Sequence, residues 1–411
     1  MNLSRPLLLG MLGAALLPLL ALCPTRTQPL VHAQVVGCRA DAARYDVALP
    51  GHPYAVAASA DGRSAFVSIV SSNPKSASGI ATLRCDGGRY RFSNLVSLEA
   101  QPTGIAITHD NKLLVVADDG FVTFVDPAAA LAGRPAILGY LQDLKGDPED
   151  NDPGSAYVNV SPDDRFAYVS DELNNTITVI DLVKARKNRF KREAIVGKIP
   201  TANAPIALAF SRDYRYLFTS SEIGLRAYGW PKVCREEGMP TTGEPSNPPG
   251  AIITVDVEKA EVDPANSIIA KTSSDCSPVR MSLSPDGLTA WVTNRASDTL
   301  TAFSTQRLIA GDSDARIATI PVGSNPVAVA ASRDGKYVLV GDSNRFGAGG
   351  TASGTVTVID ATQKAVVGTI AVGQFPREFS PGLGATLFLA NYRSNTLTIF
   401  DESRLSELVK P

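Results

Sequence analysis

Three residues stand out as chemistry-bearing because of the positions they occupy. Two residues after a recurring Pro or its equivalent, four segments of the chain carry Ala55, Gly104, Ala207 and Ala328, whereas three others carry Tyr157, Arg280 and Glu378. A charge at a position otherwise kept small must be paired or reach water, because desolvating it alone is costly. Two chemistries fit an Arg and a Glu at such a place: a structural ion pair, or a ligand site open to solvent. Arg295, Arg345, Arg377 and Arg393, with Glu172 and Glu222, are expected around the same opening. Converging guanidinium groups suit carboxylates, phosphates or acidic sugars, because each presents a planar fork of donors.

The elements that must position these side chains are repeated. The pattern GIATLR (79–84) recurs as FVTFVD (121–126), TITVID (176–181), AIITVD (251–256), TLTAFS (299–304), TVTVID (355–360) and TLTIFD (396–401). β-Branched residues alternating with Thr mark strands. Upstream of each of the first six lies a shorter strand ending in a turn at Asp61, Asp110, Asp163, Asp213, Asp286 and Asp334, spaced 49, 53, 50, 73 and 48 apart, and upstream of the seventh lies the one-residue-shorter PREFSPGLG. Asp-Gly between alternating runs signals a hairpin. A four-stranded unit cannot bury both faces alone, but seven stacked radially can, so the expectation is an all-β chain forming a single seven-bladed β-propeller. The last unit lacks a clear fourth strand, and ARYDVALPG (43–51) is expected to supply it and close the ring. A closed ring has no long open edge, which predicts a monomer.

Residues 1–33 read as a cleavable signal peptide: Arg5, then an apolar run, then Val31 and Ala33 ahead of Gln34. Pro18 argues against a membrane anchor, and Leu22 argues against lipid attachment at Cys23. The mature chain 34–411 is therefore expected to be secreted or periplasmic, with no transmembrane segment. Without Arg5 and Arg26, 37 basic residues face 41 acidic ones, a net charge of −4 that gives no general attraction to nucleic acid. Four cysteines remain, and an even count after export favours disulfides. Blade topology places Cys38 and Cys85 on one rim and Cys234 and Cys276 on the other, so Cys38–Cys85 and Cys234–Cys276 are the expected pairs.

WVTN (291–294), with its relatives YVSD (168–171) and FLAN (388–391), resembles the YVTN-repeat β-propellers, which overlap in fold with the seven-bladed lactonase-like proteins. No WD dipeptide is present. The resemblance spans nearly all of 43–401. It implies a partner- or ligand-binding module or, alternatively, a lactone hydrolase at the mouth of the central channel. A hydrolase would use Glu378 or Glu172 to activate water, Arg280 to stabilise the oxyanion, and His52 as a further base. Amine-dehydrogenase heavy chains share the fold, but no cofactor-attachment residue is evident here, and no cofactor is expected.

Other signals have ordinary readings beside functional ones. There is no C-x-x-C-H haem signature, and His52 and His109 fall on opposite rims, so no metal site is expected. GDPEDNDPG (146–154) could hold Ca²⁺ but reads first as a solvated loop. KARKNRFKR (184–192) reads as a hydrated hairpin rather than a polyanion or membrane site. Asp118, Asp171, Asn294, Asp342 and Asn391 end second strands and read first as turn-capping side chains. The insertion 227–250 and the Gly-rich stretch 341–354 decorate the rim where an anionic small molecule or a protein partner is expected to bind. If residues 1–33 are a signal peptide, protein recovered from an exporting host should begin at Gln34. Intact mass and N-terminal sequencing check this, and an unprocessed Met1 would contradict it.

Overall fold

The computed structural model describes residues 37–38, 42–71, 78–119, 121–142, 154–235, 244–346 and 353–410. The segment 1–33, Cys23, most of 146–154 and the middles of the 227–250 and 341–354 insertions lie outside these residues. The remainder forms seven four-stranded antiparallel sheets. In six blades the strands follow chain order. The seventh consists of the three last strands plus the strand Arg44–Ala48, which pairs antiparallel with Thr396–Asp401. The expected closure is therefore present. Lys410 also bridges to Thr369, so the C-terminal tail lies along the outer strand of blade six.

Burial explains why the middle strands recur. Second and third strands are buried on both faces, as in Leu114–Asp118 and Phe121–Val125. Alternate side chains of one strand serve different cores: Leu114 and Val116 pack toward blade one, Val115 and Ala117 toward blade three. A side-chain period of two makes this division automatic. The hydrophobic residues thus form seven clusters, each shared by two adjacent blades. Fourth strands face solvent and alternate instead, as Ala365–Val372 does.

One rim carries the tight turns. There the hydroxyls of Ser59, Thr108, Ser161, Ser211, Ser284 and Ser332 donate to Asp61, Asp110, Asp163, Asp213, Asp286 and Asp334. The next residue has positive φ whether it is glycine (Gly62, Gly287, Gly335) or not (Asn111, Asp164, Tyr214). Asn111 and Asp164 offset that backbone cost by accepting backbone N–H groups from a neighbouring blade's turn, at Ala60 and His109 respectively.

The segment 184–192 is not the hairpin its charge suggested. Asp181 ends the third strand of blade three, and its carboxylate accepts from Lys184 N–H, starting a short helix, Leu182–Lys187. The basic run supplies that helix's last turn, where cations oppose the dipole. The same device recurs: Asp126, Asp256 and Ser304 cap short helices in blades two, four and five. A strand-ending Asp or Ser is an N-cap wherever the chain can turn into a helix.

Both expected disulfides are formed, Cys38–Cys85 and Cys234–Cys276, each with Cα atoms 5.5 Å apart. The first lies at the tight-turn rim, where Cys38 N–H donates to Gly62 and Cys85 N–H to Arg63. Among the described residues no helix is long and apolar enough to cross a membrane. Deleting the chain through Leu49 removes the closing strand and uncovers the edge of Thr396–Asp401. The truncated protein should lose its single cooperative unfolding transition in calorimetry, and melting like the full-length chain would refute closure by Arg44–Ala48.

Candidate functional site

The channel is shaped by a fault in every inner strand. In all seven blades the register with the second strand slips just after the Pro position, between Pro53/Val56, Pro102/Ile105, Ser155/Tyr157, Pro205/Leu208, Pro278/Arg280, Pro326/Ala328 and Pro376/Glu378. A β-bulge re-aims side chains and frees a backbone N–H. Here the freed groups of Ala55, Ala207 and Arg280 donate to hydroxyls of the second strand, Ser68, Ser220 and Thr293, at 3.0, 3.2 and 3.2 Å. Those hydroxyls donate onward to the next blade's inner strand, at the carbonyls of Thr103, Val279 and Val327. Ser170 reaches Ile206 in the same way, at 3.1 Å. Blade two has Ala117 at this place, and Thr103 bonds Ser155 of blade three instead. Sequence reasoning missed these hydroxyls, although the recurring Ser or Thr in YVSD and WVTN was their visible signal.

Tyr157, Arg280 and Glu378 sit at the bulges of blades three, five and seven. Arg280 Nη2 lies 3.6 Å from Glu378 Oε2, and both side chains are only 7% exposed. The Arg280 guanidinium also lies 4.5 Å from the centre of the Tyr157 ring, and the Tyr157 hydroxyl is hydrogen-bonded to Glu378. Of the two readings the sequence left open, the ion pair is therefore formed, and it is buried. Burial pushes the Glu378 carboxyl above its usual range, against the pull of Arg280, Tyr157 and Arg377. Burial also opposes the charge on Arg280, but Tyr157, Glu378, Tyr54 and Glu172 outweigh it and hold its proton more tightly.

A second cluster is contiguous with the first through Arg377 and Tyr54. The Arg377 guanidinium lies 3.6 Å from the centre of Tyr54 and 5.5 Å from that of Tyr392. Arg345, Arg377 and Arg393 surround Phe375 at 5.7, 5.7 and 5.5 Å. Arg393 donates to the carbonyl of Arg345 at 3.2 Å. His52 stacks on Tyr392 at 4.9 Å and donates from Nδ1 to its carbonyl, so it is placed as part of this shelf. Phe375 has φ +54°, a conformation shared by Ala204, Ser277 and Asn325, each also just before an inner strand's Pro. A bulky aromatic residue is unfavourable there, and at this one blade it puts a ring beneath three guanidinium groups. The aromatic partners Tyr54, Phe375 and Tyr392 were not legible in the sequence.

The remaining sequence candidates separate. Arg295 grips both oxygens of Glu222 at 3.0 and 2.9 Å, forming a bridge between blades five and four and not part of the arginine cluster. Glu172 acts on Arg280 by its charge, while its backbone N–H bonds Gly154. The strand-ending Asx residues are structural, in a way that differs from the expected turn caps. Thr123 donates to Asp118, Thr355 and Thr357 to Asp342, while Asn294 donates to Thr299 and Thr301 and Asn391 to Thr396 and Thr398. Asp171 also takes backbone groups, from Gly154, Leu173 and Asn174, and Asp342 takes them from Gly323 and Thr357. Burial lifts Asp342 to about 6. Among the described residues no three His, Cys, Asp or Glu groups are placed to hold a metal ion.

Fold and side-chain contacts together define a seven-bladed β-propeller with a cluster of arginines and aromatic rings on blades six, seven and one. No family model matches the chain, and no curated protein matches it. Among solved structures it is similar to hydrazine synthase of Kuenenia stuttgartiensis, at 18% identity and a TM-score of 0.60, over 90% of this chain and 98% of that one. At that identity the likeness is one of fold. Matches to 1434 solved chains show how widely the architecture is used, so function must be argued from the site.

Removing one member of a buried pair strands the other charge, at about 3–5 kcal/mol, whereas replacing both by apolar or neutral groups is far milder. Arg280→Ala should therefore lower stability by about that much in chemical denaturation, and Arg280→Met with Glu378→Gln should recover most of it. An equal loss in both variants would show that the loss does not come from a stranded Glu378 charge.

Proposed function

We propose that this protein is an exported binding module whose ligand, an anionic small molecule or an acidic group on a protein partner, seats at the channel mouth over blades six, seven and one. The observation that carries the reading is the cluster of Arg345, Arg377 and Arg393 around Phe375. Contacts with the rings hold the guanidinium groups near one another in advance, so less side-chain entropy is lost when their donors meet an anion. Tyr157, Arg280 and Glu378 form the floor. The two disulfides support an oxidising compartment, and ring closure supports a monomer.

The arrangement suits binding better than lactone hydrolysis. A general base must reach the water it activates, and Glu378 is buried and engaged by Arg280 and Tyr157. His52 likewise commits Nδ1 to the Tyr392 carbonyl.

The test titrates citrate, benzoate and inorganic phosphate into purified protein by calorimetry at low salt. At least one should bind, and Arg377→Ala or Arg393→Ala should weaken it at least tenfold. Neutralising Lys187, Arg189 and Lys191 together, on the opposite rim, should change affinity less than twofold. No binding by any probe, or the reverse ranking of the variants, would overturn the placement. Turnover of a lactone panel that Arg280→Ala abolishes would favour the hydrolase.

A further inference from the structure

The two arginine–glutamate pairs near the channel are built differently. Arg295 and Glu222 make a closed bridge, with one Nη bonded to both carboxylate oxygens. Arg280 and Glu378 make a single contact at 3.6 Å, too long for a good hydrogen bond. Among the described residues that contact leaves Arg280 Nε and Glu378 Oε2 without hydrogen bonds, although both side chains are more than nine-tenths buried. Nε of the neighbouring Arg377 is likewise buried without a hydrogen-bond partner. Buried polar atoms of this kind call for a ligand, a water or a functional role.

We infer, resting on the reading above, that the mouth takes its anion together with a proton: the anion replaces the Glu378 carboxylate as counter-charge to Arg377 and Arg280, and Glu378 becomes neutral. The groups facing Glu378 fix the direction. Arg280 and Arg377 hold it ionised, and Tyr157 donates to it. Tyr54 and Glu172 act on the same guanidinium, Arg280. An arriving anion draws on the positive potential of the two arginines, so the shared stabilisation of the carboxylate falls, and burial already disfavours its charge. The exchange moves one proton from solvent to a Glu378 oxygen for each anion bound, with no bond of the ligand made or broken. A protonated Glu378 then offers an O–H donor in place of a like charge.

The experiment uses the full mature chain and the probes citrate, benzoate and inorganic phosphate. Calorimetric titrations in two buffers of different ionisation heat count protons taken up beyond those of the probe itself, from pH 5 to 8. Uptake should be positive, approaching one proton per anion, and affinity should fall by up to about tenfold per pH unit as pH rises through the titration of Glu378. Glu378→Gln should bind with no uptake and a flat pH profile. Asp342→Asn should keep both effects, since burial lifts the Asp342 carboxyl to about 6, inside the same range. Binding without proton uptake in the wild-type protein overturns this inference and leaves the binding site standing. Uptake lost in Asp342→Asn also overturns it. Failure of every probe to bind at any pH overturns the site and the coupling together. The wild-type proton count decides the matter if Glu378→Gln does not fold.

Discussion

The ring depends on what happens to one backbone N–H per blade. The bulge after each inner strand's Pro takes that group out of its ladder, and a buried unpaired donor would cost about 1–3 kcal/mol. In blades one, four and five, Ser68, Ser220 and Thr293 accept it and donate their own hydroxyl to the adjacent blade, whereas blades two, six and seven carry Ala117, Gly341 and Ala390 at that place. One hydroxyl therefore satisfies a defect within its blade and fixes the spacing to the next. Without the bulge, the inner strand would run straight and its third residue would pack into a sheet. With it, that residue is turned toward the axis.

The same defect makes the site possible. Seven residues are turned inward, and the chain fills most of these places with Ala or Gly. Gly104 has no room for more, since a Cβ there would lie 2.7 Å from Tyr157 Cα. Three long side chains can therefore meet in the middle, and the arginine shelf lies over them where the loops enter. Charge in this region is arranged by depth. The buried pair is only 7% exposed, while the half-buried guanidinium groups beside it gather around Tyr54 and Phe375.

Much of the architecture was legible because each blade repeats the same solution. Pro, the Asp turn and the β-branched third strand recur at nearly fixed spacing, and the odd strand 43–51 had one vacant place to fill. Cysteine pairing followed from which rim each residue must reach. The inner-strand charges were visible as departures from the repeat, although whether Arg280 and Glu378 met could be learned only in three dimensions. The aromatic partners were illegible for a related reason. Tyr54 and Arg377 touch across the point where the ring closes, so they are remote in sequence, and neither occupies a position that the repeats make conspicuous. The short helices were masked by charge: 184–192 looked like a hydrated run because its basic residues hid the cap at Asp181.

The contact between Arg280 and Glu378 spans blades five and seven, with blade six between them, and Tyr157 reaches it from blade three. Such a contact measures the width of the axis. An added blade would widen the ring and draw the two side chains out of reach, leaving two lone charges in a dry passage. A lost blade would force three long side chains into a narrower one. Hydrophobic wedges between neighbours tolerate a small change of angle, since each senses only the blade on either side. The central triad senses all of them at once, and so serves as a gauge that admits one ring size.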